Sequence, residues 1–108
     1  QKIAEEFSIN RLFNYPNPFT TNTKFYFEHN QPGIEIDVLL QIFTVSGKLV
    51  KTFHSTMITD GFISEPIAWD GMDDYGSKIG RGVYIYRVKA RIPSGKIVEK
   101  YEKLLILK

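Results

Sequence analysis

Three carboxylates within five positions, Asp70, Asp73 and Asp74, form the densest group of chemically capable side chains in this 108-residue sequence. Hard cations such as calcium take several oxygen ligands from one loop, so Asp70-Gly71-Met72-Asp73-Asp74-Tyr75-Gly76 is a metal candidate. Its spacing departs from an EF-hand, which needs ligands at positions 1, 3 and 5 and a closing glutamate. Aspartate also builds turns by accepting from backbone N–H groups two residues on, and this reading suits a run between glycines better. A carboxylate pair doing acid–base work would need a pocket and separated pKa values, and the sequence supplies neither. His29 and His54 fall in different strand-like segments and read as ordinary strand residues. No Ser-His-Asp order, Gly-x-Ser-x-Gly, His-Glu-x-x-His or phosphate-binding loop occurs. There is no cysteine, which excludes a thiol nucleophile, a zinc–thiolate cluster and a disulfide framework. The chain therefore reads as noncatalytic and without a cofactor.

The aromatic residues are the second chemical resource: eight Phe, six Tyr and one Trp. Tyr26, Phe43, Trp69 and Tyr75 could stack on sugar rings, as in carbohydrate-binding sandwich modules. No ordered trio falls on one predicted face, and Trp69, alternating with Ile67, reads as core.

The scaffold that would position these residues follows from pattern. The length supports one domain, and 43% hydrophobic residues are enough for one core without covalent staples. A net charge of +2 is too balanced for a nucleic-acid binder. The charge is uneven, however. Residues 55–78 carry one lysine against Asp60, Glu65, Asp70, Asp73 and Asp74, whereas residues 79–108 carry eight basic residues against Glu99 and Glu102. This reads either as solvated strand faces or as a basic docking surface. The longest uncharged stretch, Leu12–Thr23, is broken by Pro16 and Pro18, so no membrane-spanning helix is expected. The sequence opens on Gln1 and is expected to be a fragment, with residues 1–11 a leader from an upstream domain and 12–108 the folded module.

Within the module, Lys24–Glu28 alternates with Phe25 and Phe27 on one face. Glu35–Val45 places Ile36, Val38, Leu40 and Ile42 against Glu35, Asp37 and Gln41, with a second face made partly apolar by Leu39, Phe43 and Val45. Ser46-Gly47-Lys48 predicts a tight turn into Leu49–Ser55. Ile63–Trp69 reads as a strand that Pro66 confines to an edge or bulge. Val83–Ala90 alternates Tyr84, Tyr86, Val88 and Ala90 inward, and Ser94-Gly95-Lys96 turns it into Ile97–Leu107. This last segment also fits helical spacing, but the preceding hairpin turn favours a strand. Gln1–Phe7 is a helical turn or a frayed leader. About seven short strands predict an all-β fold, an immunoglobulin-like antiparallel β-sandwich. Tyr84 would then be either a tyrosine-corner anchor bonded to backbone or a plain core aromatic.

Five blocks in order carry a family resemblance: Asn14-Tyr15-Pro16-Asn17-Pro18-Phe19, Ile42–Val50, Trp69–Gly76, Gly80–Val88 and Glu102–Lys108. They resemble the C-terminal sorting domain of Bacteroidetes type IX secretion substrates, related to the FlgD-type immunoglobulin-like fold. Residues 27–32 and 43–52 look most like the domain carried by the sorting peptidase of that system. The resemblance implies a noncatalytic module, recognised after export to the periplasm and directed through the outer-membrane translocon to the cell surface. Its implied partners are that translocon and a PorV-like outer-membrane β-barrel shuttle protein, with no nucleic acid. Most such domains are then removed, whereas the peptidase's own domain is retained as a tether, and its cysteine chemistry lies in a separate domain. The runner-up is a carbohydrate- or peptide-binding sandwich module of a surface enzyme.

The resemblance assigns sorting or partner contact to Pro16, Asn17, Pro18, Gly47, Lys48, Gly82, Tyr84 and the tail Lys103, Leu104, Leu105, Ile106, Leu107 and Lys108. Structural readings stand beside these: the prolines fix an extended segment, Gly47 serves its turn, and Leu104–Leu107 is a last strand apolar on both faces. An edge strand of that kind predicts recognition by strand addition or by an apolar patch. Removing Ile106–Lys108 is expected to abolish export or binding to the shuttle barrel while leaving the sandwich folded.

Overall fold

Four alternate residues of one segment, Ile36, Val38, Leu40 and Ile42, are wholly buried, and the residues between them are partly exposed. That pattern makes one face of a sheet. The computed structural model describes residues 6–107; residues 1–5 and Lys108, one of the expected tail positions, lie outside it. Among the described residues every regular element is a strand: β1 (Ile9–Tyr15), β2 (Thr23–His29), β3 (Ile36–Thr44), β4 (Leu49–Met57), β5 (Ile67–Trp69), β6 (Gly82–Arg91) and β7 (Ile97–Ile106). They form two antiparallel sheets, ordered β1-β2-β5 and β4-β3-β6-β7. The all-β, seven-strand sandwich is as expected.

The inner faces meet through aromatic packing. Phe25 sets its edge on Tyr86 at 4.8 Å between centroids and lies 6.1 Å from Trp69, which in turn meets the Phe19 ring at 5.7 Å. Leu12, Phe27, Val88, Ala90, Leu104 and Ile106 complete this core. One polar chain runs through it. The Tyr86 hydroxyl donates to Asn14 Oδ1 (3.1 Å), Asn14 Nδ2 donates to Thr23 Oγ1 (3.2 Å), and Thr23 donates to the Pro16 carbonyl (2.8 Å). Burial, with Glu102 adding to it, pushes the Tyr86 phenol well above its ordinary range, so it stays a donor and the chain stays neutral.

Two strand assignments differ from expectation. Residues 1–11 do not all precede the module: Phe7 and Ile9 are buried, and β1 begins at Ile9, pairing with β2 at His29. The alternation was hidden because Asn14 occupies an inward position and the register shifts between Ile9 and Arg11. Ile63–Trp69 shortens to β5, an edge strand starting just after Pro66, while Ile63 makes an isolated bridge to Glu28. The last segment is a strand throughout and carries no helix, because its partner β6 pairs with all ten residues.

Candidate functional site

Register places the expected site residues at one end of the sandwich. Thr44 pairs with Tyr84, Tyr84 with Leu104, and Gly82 with Ile106, so the β3–β4 turn, the start of β6 and the tail share that end. In the other sheet Tyr15, Lys24 and Thr23 lie there too, followed by Pro16–Phe19 on one side and Asp70 on the other.

Of Pro16, Asn17 and Pro18, it is Asn17 that hydrogen-bonds the tail, and Phe19 joins it. Asn17 Nδ2 donates to the Lys103 carbonyl (3.2 Å), and its Oδ1 accepts from Leu105 N–H (3.0 Å). Phe19 N–H donates to the Leu105 carbonyl (3.1 Å), and its own carbonyl accepts from Leu107 N–H (2.9 Å). Phe19 also makes a parallel bridge with Ile106 while its ring sits in the core. A side-chain amide and one residue of main chain thus occupy the outer edge of β7 from Lys103 to Leu107. This strap corrects part of the earlier expectation, because strand addition onto the tail would have to displace four hydrogen bonds. Two tail residues also change role. Leu104 and Ile106 are core side chains, which leaves Lys103, Leu105 and Leu107 outside. Deleting Ile106–Lys108 would therefore remove a core residue, so that truncation cannot separate recognition from folding.

The first half of β7 is managed differently. Lys100 and Glu102 are exposed although their register partners on β6, Val88 and Tyr86, are buried. Charges on the inward pleat of an edge strand deter pairing with a second chain.

Gly47 and Lys48 lie two strands away and serve the turn. Gly47 has φ +95°, a region that L side chains rarely enter, and its N–H donates to the Thr44 carbonyl at 2.9 Å. Lys48 N–H donates to Thr44 Oγ1 (3.0 Å), leaving the lysine side chain exposed. Gly82 has φ +138° at the first position of β6. The Tyr84 hydroxyl donates to the Gly80 carbonyl (2.8 Å), four residues upstream, which is the backbone anchor of a tyrosine corner.

The three aspartates do not converge. Asp70 Oδ1 accepts from Met72 N–H (3.0 Å), and Asp73 Oδ1 accepts from the N–H groups of Tyr75 and Ser77, both at 2.9 Å. Asp74 reaches sideways to β4: its N–H donates to the Val50 carbonyl (3.2 Å), and its Oδ1 accepts from Thr52 N–H (3.4 Å) and faces Lys51 Nζ (3.6 Å). Among the described residues no three His, Asp or Glu side chains gather as a metal site. The run builds a turn and covers the second edge of the four-stranded sheet.

The aromatics expected as a sugar platform are also dispersed. Trp69 is core and donates from Nε1 to the Met72 carbonyl (2.8 Å), Tyr26 stacks on Phe13 at 5.3 Å, and Tyr75 is 93% exposed in its loop. The histidines stay apart as well. His54 Nε2 bonds Asp37 Oδ1 (2.7 Å) on the outer face of the four-stranded sheet. Buried His29 accepts from Gln31 N–H at Nδ1 (3.0 Å) and donates from Nε2 to Thr59 Oγ1 (2.8 Å), which passes its own proton to the Gly61 carbonyl. Desolvation holds its pKa below the ordinary 6.5.

The sequence reading missed Phe19 as the anchor of the strap. It also left Leu49, Val83 and Ile85 unassigned. Their signal was present, since the outward positions of β3 and β6 at this end, Phe43, Val83 and Ile85, are all apolar.

No family model and no curated protein matches the sequence. Solved structures do match, among them dimeric latent PorU from Porphyromonas gingivalis, with a TM-score of 0.78 and 28% identity over 96% of this chain. The match takes in 10% of that PorU chain, so the present chain spans about a tenth of its length. In fold and in sequence the chain is thus similar to one segment of PorU.

Proposed function

We propose that this chain is the noncatalytic C-terminal sorting and anchoring module of a type IX secreted surface protein, and specifically of a PorU-type sorting peptidase. The observation that carries this reading is the likeness to PorU over nearly the whole chain. The resemblance carried by the five ordered motif blocks points the same way. In this reading the module passes through the periplasm, engages the translocon and a PorV-like shuttle barrel, and remains at the outer-membrane surface. Peptidase chemistry belongs to another domain of the parent chain, because this sequence has no cysteine.

The test is a fusion of residues 1–108 to a reporter in a bacterium with a working type IX system. Surface exposure of the reporter, read by protease accessibility of intact cells, is the expected result. A reporter that stays in the periplasm overturns the sorting reading. A parent gene without an upstream cysteine-peptidase domain overturns the narrower PorU assignment alone.

A further inference from the structure

The outer face of the four-stranded sheet changes character along its length. Near Arg91 charges dominate, with Leu39 and Ile97 set among them: Asp37 accepts from His54 and Thr56 and lies 3.9 Å from Arg91, while Lys89 pairs in register with Glu99. Toward the strap the outward positions turn apolar. Phe43 pairs with Leu49 across to β4 and with Ile85 across to β6, and Val83 pairs with Leu105 on β7. All four strands contribute to this patch. Leu49 and Val83 are 46% and 48% exposed, and Phe43, Ile85 and Leu105 are partly exposed.

The charges on the outward face at this end are of one sign. Lys103 pairs in register with Ile85, Arg87 bonds Gln41 in the next row, and exposed Lys48 and Arg81 lie in the adjoining turns. From the Thr52–Gln41–Arg87–Tyr101 row to the end of the sheet, no carboxylate occupies an outward position. Glu102 sits on the opposite pleat, and Asp74 is engaged at the β4 edge.

Main-chain recognition is closed at the same end, since the strap occupies the β7 edge and Asp74 the β4 edge. What remains is a flat side-chain surface that complements an apolar patch bordered by acids. We propose that Phe43, Leu49, Val83, Ile85 and Leu105, rimmed by Lys48, Arg81 and Lys103, form the docking surface for a protein partner presenting an apolar patch framed by carboxylates. The proposal rests on the sorting reading for what that partner accomplishes.

The experiment uses the reporter fusion and compares wild type with the double variant Ile85→Thr/Leu105→Thr, and with Lys103→Glu and Lys103→Arg. Threonine keeps strand propensity on an outer face, and thermal unfolding of each purified variant confirms that it folds. Surface reporter is expected to fall about tenfold or more in the double variant, as for a central apolar contact. It falls several-fold in Lys103→Glu and is retained in Lys103→Arg. A folded double variant exported like wild type overturns the proposal while leaving the sorting reading intact. A wild-type fusion that is not exported overturns both. The purified module is also mixed with vesicles of phosphatidylcholine and phosphatidylglycerol. Binding that the same substitutions abolish would assign the face to a lipid surface and overturn the protein-partner proposal.

Discussion

β4 and β7 are the two edges of one sheet, and loops from distant parts of the chain cover both with different chemistry. At β7 the cover is neutral and anchored: the Asn17 amide and the Phe19 main chain supply four hydrogen bonds, and the Phe19 ring is sunk in the core. At β4 the cover is a carboxylate at the surface, with Asp74 meeting Thr52 N–H and Lys51. A cover held by apolar burial is not weakened by charge screening. One held by a surface charge is screened over a Debye length of about 8–10 Å. The durable device thus sits on the strand that ends in the tail, and the weaker one on β4.

Substitution of Phe19 tests this asymmetry hardest. Phe19→Ala removes a buried ring and should cost about 3–5 kcal/mol in urea unfolding; a loss no larger than a surface change gives would show that the strap is not anchored. Acidification comes next and should act at neither edge. The pKa of His29 is lowered in the fold, so the unfolded chain takes up the proton first. Stability is therefore full above the ordinary value of 6.5 and declines as pH falls below it, until folded His29 protonates as well. Urea midpoints at pH 7.5 and 5.5 should show this decline in wild type and in Asn17→Ala alike, and His29→Gln should flatten it.

Asn17→Ala should cost only about 1 kcal/mol, because water can replace the amide at an exposed edge. Its sharper signature is faster hydrogen exchange at the Leu105 amide, with the Thr52 amide unchanged. Asp74→Ala should be smallest, about 0.2–1 kcal/mol, and its difference from wild type should vanish in 1 M salt. Equal salt sensitivity in the Asn17 and Asp74 variants would dissolve the contrast between the two edges.

Where the sequence alternates cleanly, in β2, β3 and β6, pattern alone located strands and faces, because the inward side chains in the middle of each strand are hydrophobic. β1 escaped for the opposite reason. Asn14 points inward, where its polarity is satisfied by Tyr86 and Thr23, residues 72 and 9 positions away. The site was half legible. Tyr84 could be read as an anchor from its place in β6, and the aspartate run as a turn from its glycines. The strap could not, because an asparagine between two prolines looks like any turn until residues 103 and 105 are placed beside it. The apolar outer patch was visible only as a second apolar face on β3; its extent depends on strand order, which periodicity does not encode.

The pairing of Asn17 with Lys103 and Leu105 spans 86 and 88 residues of chain. During synthesis the strap therefore has nothing to close on until residues 103 and 105 have left the ribosome. Until then β6 has no outer neighbour, and Leu104 and Ile106 are missing from the core. Contacts of such long sequence separation slow folding, because loop-closure entropy must be met before they form. A nascent chain of this design stays unfinished and pliable until β7 has emerged, and only then becomes a closed sandwich.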